Sequence, residues 1–264
     1  MLRPRVTPCL LIRNGGLVKT RQFTDDKYVG DPINAVKIFN EKSVDELIVI
    51  DIDATVYGKE PDYKLIEKLA NESRMPLCFG GGIKNVRQAE KIIQLGVEKI
   101  SLSSAIIERP SLIAELAESL GSQSIVGVLD VKKSMFKGYE VYVKNGTTKV
   151  KGSLINWIET FQEYGIGEIL FNAIDRDGMQ NGYDLNLTSS VFAHLDVPSS
   201  YLGGAASLAD IGQLVEKFGV VGCVAGSLFV LKGKYRAVLI NYPSFDEKYS
   251  LLTKSLNSYK NISS

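Results

Sequence analysis

Along the whole chain, short apolar runs alternate with longer amphipathic ones. The runs RVTPCLLI (5–12), ELIVIDID (46–53), PLCFG (76–80), KISLS (99–103), SIVGVLDV (124–131), EILFNAI (168–174), SSYLG (199–203) and GCVAG (222–226) are nearly continuous in apolar and small residues. Such runs suit strands buried on both faces. Between them lie PINAVKIFNEKS (32–43), YKLIEKLANES (63–73), VRQAEKIIQLG (86–96), SLIAELAESLG (111–121), LINWIETFQEYG (154–165), LNLTSSVFAHL (185–195) and LADIGQLVEKFG (208–219). These place apolar residues at helical spacing, and Gly96, Gly121, Gly165 and Gly219 mark helix ends. The alternation predicts an α/β chain with a parallel sheet covered by helices. Eight such units in about 250 residues match a (β/α)8 TIM barrel, with an open doubly wound sheet as the alternative.

An internal repeat favours the barrel. The segment from Asp51 can be laid on the segment from Ala173 at an offset of 122 to 123 positions. Asp53 then meets Asp175, Pro76 meets Pro198, Gly80-Gly81 meets Gly203-Gly204, and Ser104 meets Ser227. Two half-barrels of four units each explain the match, and the first strand becomes the counterpart of SIVGVLDV (124–131). The expectation is one barrel domain over 1–264. It carries a β-hairpin insertion near 132–150, where YEVYV alternates before an Asn-Gly turn signal, and a polar C-terminal tail near 245–264 with a short helical stretch.

Composition narrows the function classes. The net charge of +1 gives no bulk attraction to nucleic acid or membrane. No run of about 18 apolar residues and no charged-then-apolar leader is present, so a soluble cytoplasmic protein is expected. Cys9, Cys78 and Cys223 are scattered in apolar runs and read as small buried residues, not as disulfides or metal ligands. His194 is the single histidine and sits at a helical end, so acid/base work falls to other side chains. No cofactor and no metal is expected.

Candidate chemistry clusters at the strand ends. FGGGI (79–83) with SLSSA (101–105), and LGGA (202–205) with VAGSLF (224–229), read as two matched phosphate cradles. Glycine lets backbone N–H groups approach an anion. The cradle residues are Gly81, Gly82, Ser103 and Ser104 in the first, and Gly203, Gly204, Gly226 and Ser227 in the second. The loop DRDGMQNGYD (175–184) reads as a mobile rim, with Asp177 and Gly178 assigned to the phosphate contacts and a plain surface loop as the alternative. Two opposed cradles suit a long ligand with a phosphate at each end. Asp130 and Asp51 close apolar strands, where a barrel carboxylate faces the active site. With Lys19 they form the candidate catalytic set. A salt bridge between Asp130 and Lys19, or a solvated Lys19, is the structural alternative. Arg5, Glu46, Lys99 and Glu168 begin or just precede four strands and could form a neutral ring across the barrel bottom, or an ordinary charged surface.

The duplicated glycine loops, GGLVK (15–19), DRDG (175–178), Asp130 and the length together resemble the cyclase subunit of imidazole glycerol phosphate synthase, over about residues 1–240. The resemblance implies a lyase-type barrel in a heterodimer with a glutaminase subunit, that is, a glutamine amidotransferase. It implies ammonia entry through a bottom gate of four charges, which Arg5, Glu46, Lys99 and Glu168 match in type and place. It further implies a phosphorylated small-molecule substrate worked on by two aspartates. Asp130 matches one; the other falls at Leu11. The family's usual Asn-Thr falls at Ser103-Ser104. LLIRNGGLVKT (10–20), KYVGDPINAVKIFNEKSVDEL (27–47) and GKYRAVLINYPS (233–244) are similar to the paralogues associated with glycosyl amidation in surface-polysaccharide clusters. That similarity implies amidation of a nucleotide-activated acetamido sugar in lipopolysaccharide biosynthesis, with a separate amidotransferase. The alternatives are a histidine-biosynthesis cyclase that tolerates Leu11, a non-catalytic scaffold activating a glutaminase, and, further off, a related isomerase of the same barrel family.

Overall fold

The computed structural model describes residues 3–135 and 138–263. The strands are β1 (Arg5–Arg13), β2 (Leu47–Asp51), β3 (Leu77–Gly80), β4 (Lys99–Leu102), β5 (Ile125–Ser134), β6 (Glu168–Ala173), β7 (Ser199–Leu202) and β8 (Gly222–Ala225). Each pairs in parallel with the next. Strand β8 returns to β1 with Arg5 opposite Gly222, which closes the barrel. The outer helices are α1 (Pro32–Glu41), α2 (Tyr63–Glu72), α3 (Val86–Gln94), α4 (Ser111–Leu120), α5 (Leu154–Glu163), α6 (Leu185–Phe192), α7 (Leu208–Phe218) and α8 (Phe245–Ser263). The expected barrel and its alternating units are therefore present.

Local chemistry sets these helix boundaries. Asp31, Asp62, Asn85, Ser153 and Asp184 accept a first-turn backbone N–H at the starts of α1, α2, α3, α5 and α6. Ser207 and Asp210 form a reciprocal capping box on α7. The four closing glycines adopt the positive φ that ends a helix cheaply.

Side-chain alternation along the strands makes two apolar regions. The larger one packs strands against helices and includes Phe39, Phe79, Phe161 and Phe229. The other fills the barrel itself: Cys9, Ile48, Cys78, Val126, Val128, Leu170, Leu202 and Val224, with Leu11 and Ile50 against them. The three cysteines are free and buried, as expected. Burial pushes the Cys9 thiol up to about 11 and the Cys223 thiol up to about 12, so these thiols are neutral.

The structure departs from the sequence reading in three places. A second hairpin, Gly16–Arg21 with Thr24–Gly30, follows β1. Its outer strand is polar and exposed, and its turn is carried by Gln22 and Phe23 at positive φ, so neither apolar alternation nor a glycine turn announced it. The hairpin expected near 132–150 is present, with its Asn145-Gly146 turn, as Gly138–Val143 against Thr148–Lys149; Gly138–Val143 also pairs with the end of β5, and residues 136 and 137 lie outside the described residues. The tail is one 19-residue helix rather than a short stretch. Gly212 of α7 leaves room there for Leu251 and Ser255 of α8. Finally, the repeat aligns one residue differently at the first glycine loop. Ile50 pairs with Gly80 and Asn172 with Leu202, so Gly81-Gly82, not Gly80-Gly81, is the counterpart of Gly203-Gly204.

Candidate active site

The C-terminal ends of the strands surround one pocket. Its wall includes Leu11, Lys19, Ile50, Asp51, Asp130, Asn172, Asp177 and both glycine loops. The cradles share one backbone design. Gly81 and Gly203 have φ of 110° and 106°, and Gly82 and Gly204 have φ of 77° and 98°. A Cβ on Gly81 would sit 2.2 Å from the Asp51 carbonyl oxygen. One on Gly203 would sit 2.8 Å from the Ala173 carbonyl oxygen. Asp51 and Ala173 are themselves repeat counterparts, so glycine is required twice for the same reason. Ser103 and Gly226 precede the short helices Ser104–Glu108 and Ser227–Val230 that complete the cradles. The Ser103 Oγ is buried without a partner, so it is free to meet a ligand oxygen.

The candidate catalytic residues are placed differently from one another. Asp130 faces Asn172 across the β5–β6 pair, and Asn172 Nδ2 donates to Asp130 Oδ1 at 2.9 Å. Burial pushes the Asp130 carboxyl up to about 7; the Asn172 hydrogen bond opposes the shift and the Asp177 charge adds to it. A carboxyl poised there can both take and return a proton near neutral pH. Asp51 also lines the pocket, but its Oδ1 accepts the backbone N–H groups of Asp53 and Ala54, at 2.9 and 3.0 Å, and so shapes the loop after β2. Burial raises its pKa against those two bonds.

Lys19 is neither solvated nor paired with Asp130. Only 4% of it is exposed, and Nζ donates to the Cys9 carbonyl oxygen at 2.5 Å. A Cβ on Gly226 would lie 2.5 Å from that Nζ, so the ammonium stands directly against the second cradle. Burial lowers its pKa, with Cys9 and Asp177 opposing.

Asp177 lines the pocket, yet its carboxylate is occupied. Oδ2 accepts from Thr20 Oγ1 at 2.6 Å and from the Phe23 N–H at 3.3 Å. Gly178 packs against the Thr20 carbonyl, and its own oxygen accepts from Arg236. The rim loop thus ties the Gly16–Gly30 hairpin to the pocket wall. Asn145, in the turn between Gly138–Val143 and Thr148–Lys149, donates to the Ile52 carbonyl oxygen at 2.9 Å.

At the other end of the barrel the four charges meet in a closed ring. Arg5 contacts Glu46 at 3.2 Å and Glu168 at 2.5 Å, and Lys99 contacts Glu46 at 2.9 Å and Glu168 at 3.0 Å. Burial pushes the Glu168 carboxyl up, but Arg5 and Lys99 outweigh it and hold it below the usual range. Alternating sign around the ring makes every neighbour attractive. Above the ring lies the apolar interior, and above that the Asp130 pocket.

The comparisons with known proteins agree with this architecture. The family described as "Histidine biosynthesis protein" matches residues 5–236. This chain belongs to that family. Within the histidine biosynthesis family, it is 56% identical over 253 residues to a Vibrio vulnificus protein named "Putative imidazole glycerol phosphate synthase subunit hisF3", covering 96% of this chain and 97% of that one. A Pseudomonas aeruginosa protein named "Putative imidazole glycerol phosphate synthase subunit hisF2" is 50% identical over 94% of this chain and 98% of its own. The "Imidazole glycerol phosphate synthase subunit HisF" of Clostridium botulinum is 36% identical over 88% of this chain and 92% of its own. Among the described residues no helix is long and apolar enough to cross a membrane.

Sequence reasoning missed three residues of this family member's site: Asn172, Ile50 and Asn145. Asn172 could have been found, because the repeat offset carries Ile50 onto it and makes it a polar intrusion in an apolar strand. Asn145 carried no signal beyond its turn.

Proposed function

We propose that this chain is the ammonia-receiving barrel of a glutamine-dependent complex, joined at its charged bottom ring to a glutaminase subunit. The observation that carries the reading is the vertical order of ring, apolar interior and Asp130 pocket. Ammonium entering an apolar interior pays several kcal/mol of desolvation, whereas neutral ammonia pays far less. The interior therefore delivers ammonia with its lone pair free. A ligand phosphate held by Gly203, Gly204, Gly226 and Ser227, beside Lys19, and a second at Gly81, Gly82, Ser103 and Ser104, would stretch the acceptor across the pocket in front of Asp130. Asp130 then takes the proton that nitrogen sheds as the new C–N bond forms. Asp51 and Asp177 serve this site by holding the loops, more than by touching the ligand.

For the acceptor, two observations point to different molecules. The relatives' names favour imidazole glycerol phosphate synthesis, that is, a lyase-type cyclase step in histidine biosynthesis. Leu11 and Ile50 favour a different acceptor, because they leave the pocket with one proton-handling wall where ring closure needs two. On that ground, and on the resemblance of residues 10–20, 27–47 and 233–244 to glycosyl-amidation paralogues, we favour amidation of a nucleotide-activated acetamido sugar for surface polysaccharide, with a separate amidotransferase completing the transfer. The deciding experiment is turnover of the cyclase's double-phosphate substrate by purified protein in excess ammonium salt at alkaline pH. Wild type is run beside Leu11→Asp and Asp130→Asn. No wild-type turnover, with some gained by Leu11→Asp, supports the amidation reading. Clear wild-type turnover abolished by Asp130→Asn would replace it with the cyclase. Turnover unaffected by Asp130→Asn would remove Asp130 from the chemistry.

A further inference from the structure

Asn172 poses a question that the reading above does not use. It is 8% exposed, and its Oδ1 is buried with no hydrogen-bond partner. Which way the amide points is set by its neighbour. An ionised Asp130 can only accept, so Asn172 must turn Nδ2 toward it and Oδ1 away. The unpaired oxygen is therefore a consequence of holding Asp130, and a buried acceptor left open asks for a donor. Solvent does not reach Oδ1, so the donor that fits is small and arrives from the barrel interior. The repeat counterpart offers no such demand, since Leu11 and Ile50 stand there.

We propose that Asn172 and Asp130 form a paired acceptor that binds the N–H groups of ammonia as it leaves the barrel interior. This deepens the ammonia-delivery reading and rests on it. Ammonia has three donors and one lone pair. With N–H groups held by Asn172 Oδ1 and the Asp130 carboxylate, the lone pair points away from that wall, toward the Leu11–Ile50 side. Asn172 is thus a positioning residue, and binding breaks no bond.

The test is carboxyl NMR on the isolated chain labelled with 13C at the aspartate carboxyl, the Asp130 signal being assigned by its loss in Asp130→Asn. At a pH above the Asp130 titration, ammonium chloride is titrated against tetramethylammonium chloride at equal ionic strength. The expected result is a saturable shift with ammonium, none with tetramethylammonium, and a half-saturation concentration raised about tenfold or more in Asn172→Leu. An equal response to both salts would overturn the proposal from wild type alone, whatever the variant's folding. So would an Asn172→Leu protein that responds like wild type. No acceptor or glutaminase is present, so these outcomes judge the ammonia site separately. Failure of the delivery reading would show instead as no association with any glutaminase subunit.

Discussion

At the mouth of the barrel, β5 and β6 present Asp130 and Asn172 side by side, while β1 and β2 present Leu11 and Ile50 at the matching register. One wall holds a hydrogen-bonded carboxyl poised near neutrality; the other is hydrocarbon. At the bottom the imbalance reverses. Glu46 and Glu168 are counterparts, one from each half, but Arg5 and Lys99 both come from the first half. The first half therefore supplies three of the four ring charges, and the second supplies the proton-handling wall. Meanwhile the glycine loops kept similar positive φ values in both halves. Backbone shape persisted because it holds the fold and both cradles, whereas side chains facing the pocket were free to diverge.

The largest expected effect breaks the mouth comparison directly. Asp130→Asn should lower ammonia-dependent turnover of the true acceptor about 100- to 10,000-fold, the usual worth of a general acid or base. Leu11→Met should leave it within about twofold, as a volume-conserving apolar change does. Similar losses from both would mean that the two walls are not chemically different.

The second effect is read as stability against pH. The folded Asp130 keeps its proton up to about 7, while the unfolded chain releases it near the ordinary carboxylate value. Folding therefore binds a proton in that window, and wild-type stability falls as pH rises through it. Asp130→Asn escapes the loss. In urea denaturation it should match wild type near about pH 4 and exceed it by about 2–4 kcal/mol near about pH 8. A constant difference across that range would show that the carboxyl is not destabilised by burial.

The ring sharpens the comparison at the other end. Glu46→Gln and Glu168→Gln each leave Arg5 and Lys99 sharing one carboxylate, and each should cost about 2 kcal/mol in thermal or urea unfolding. For Glu168 the sign with pH is opposite to that of Asp130. Its pKa is held down, so its contribution is present above the ordinary carboxylate value and lost as pH falls through the lowered one. The Glu168→Gln difference should therefore vanish in acid.

The smallest effect compares the two glycine loops. Alanine at Gly81 would force a positive φ and meet the Asp51 oxygen more closely than alanine at Gly203 meets the Ala173 oxygen. Both should destabilise by about 1–3 kcal/mol, with Gly81→Ala the worse. Reversed order in thermal melts would break the shared loop geometry.

The sequence by itself determined the eight barrel strands, the capped helices, the half-length repeat and the positions of the cradle glycines. These features depend on period, capping chemistry and backbone freedom within a few residues. It also put Arg5, Glu46, Lys99 and Glu168 at strand starts, hence at one end of any barrel built from those strands. Only the tertiary structure decided which groups meet. Arg5 reaches Glu168 across 163 positions of chain, Thr20 reaches Asp177 across 157, and Asn172 turns to Asp130 across 42. Local propensity carries no information about such pairings. Closure of the barrel buried Lys19 beneath the Cys9 carbonyl, folded an unannounced hairpin onto Asp177, and left one amide oxygen of Asn172 unpaired. Those outcomes follow from packing distant strands into one wall, where burial and neighbouring charge, not sequence spacing, set each group's partners and proton affinity.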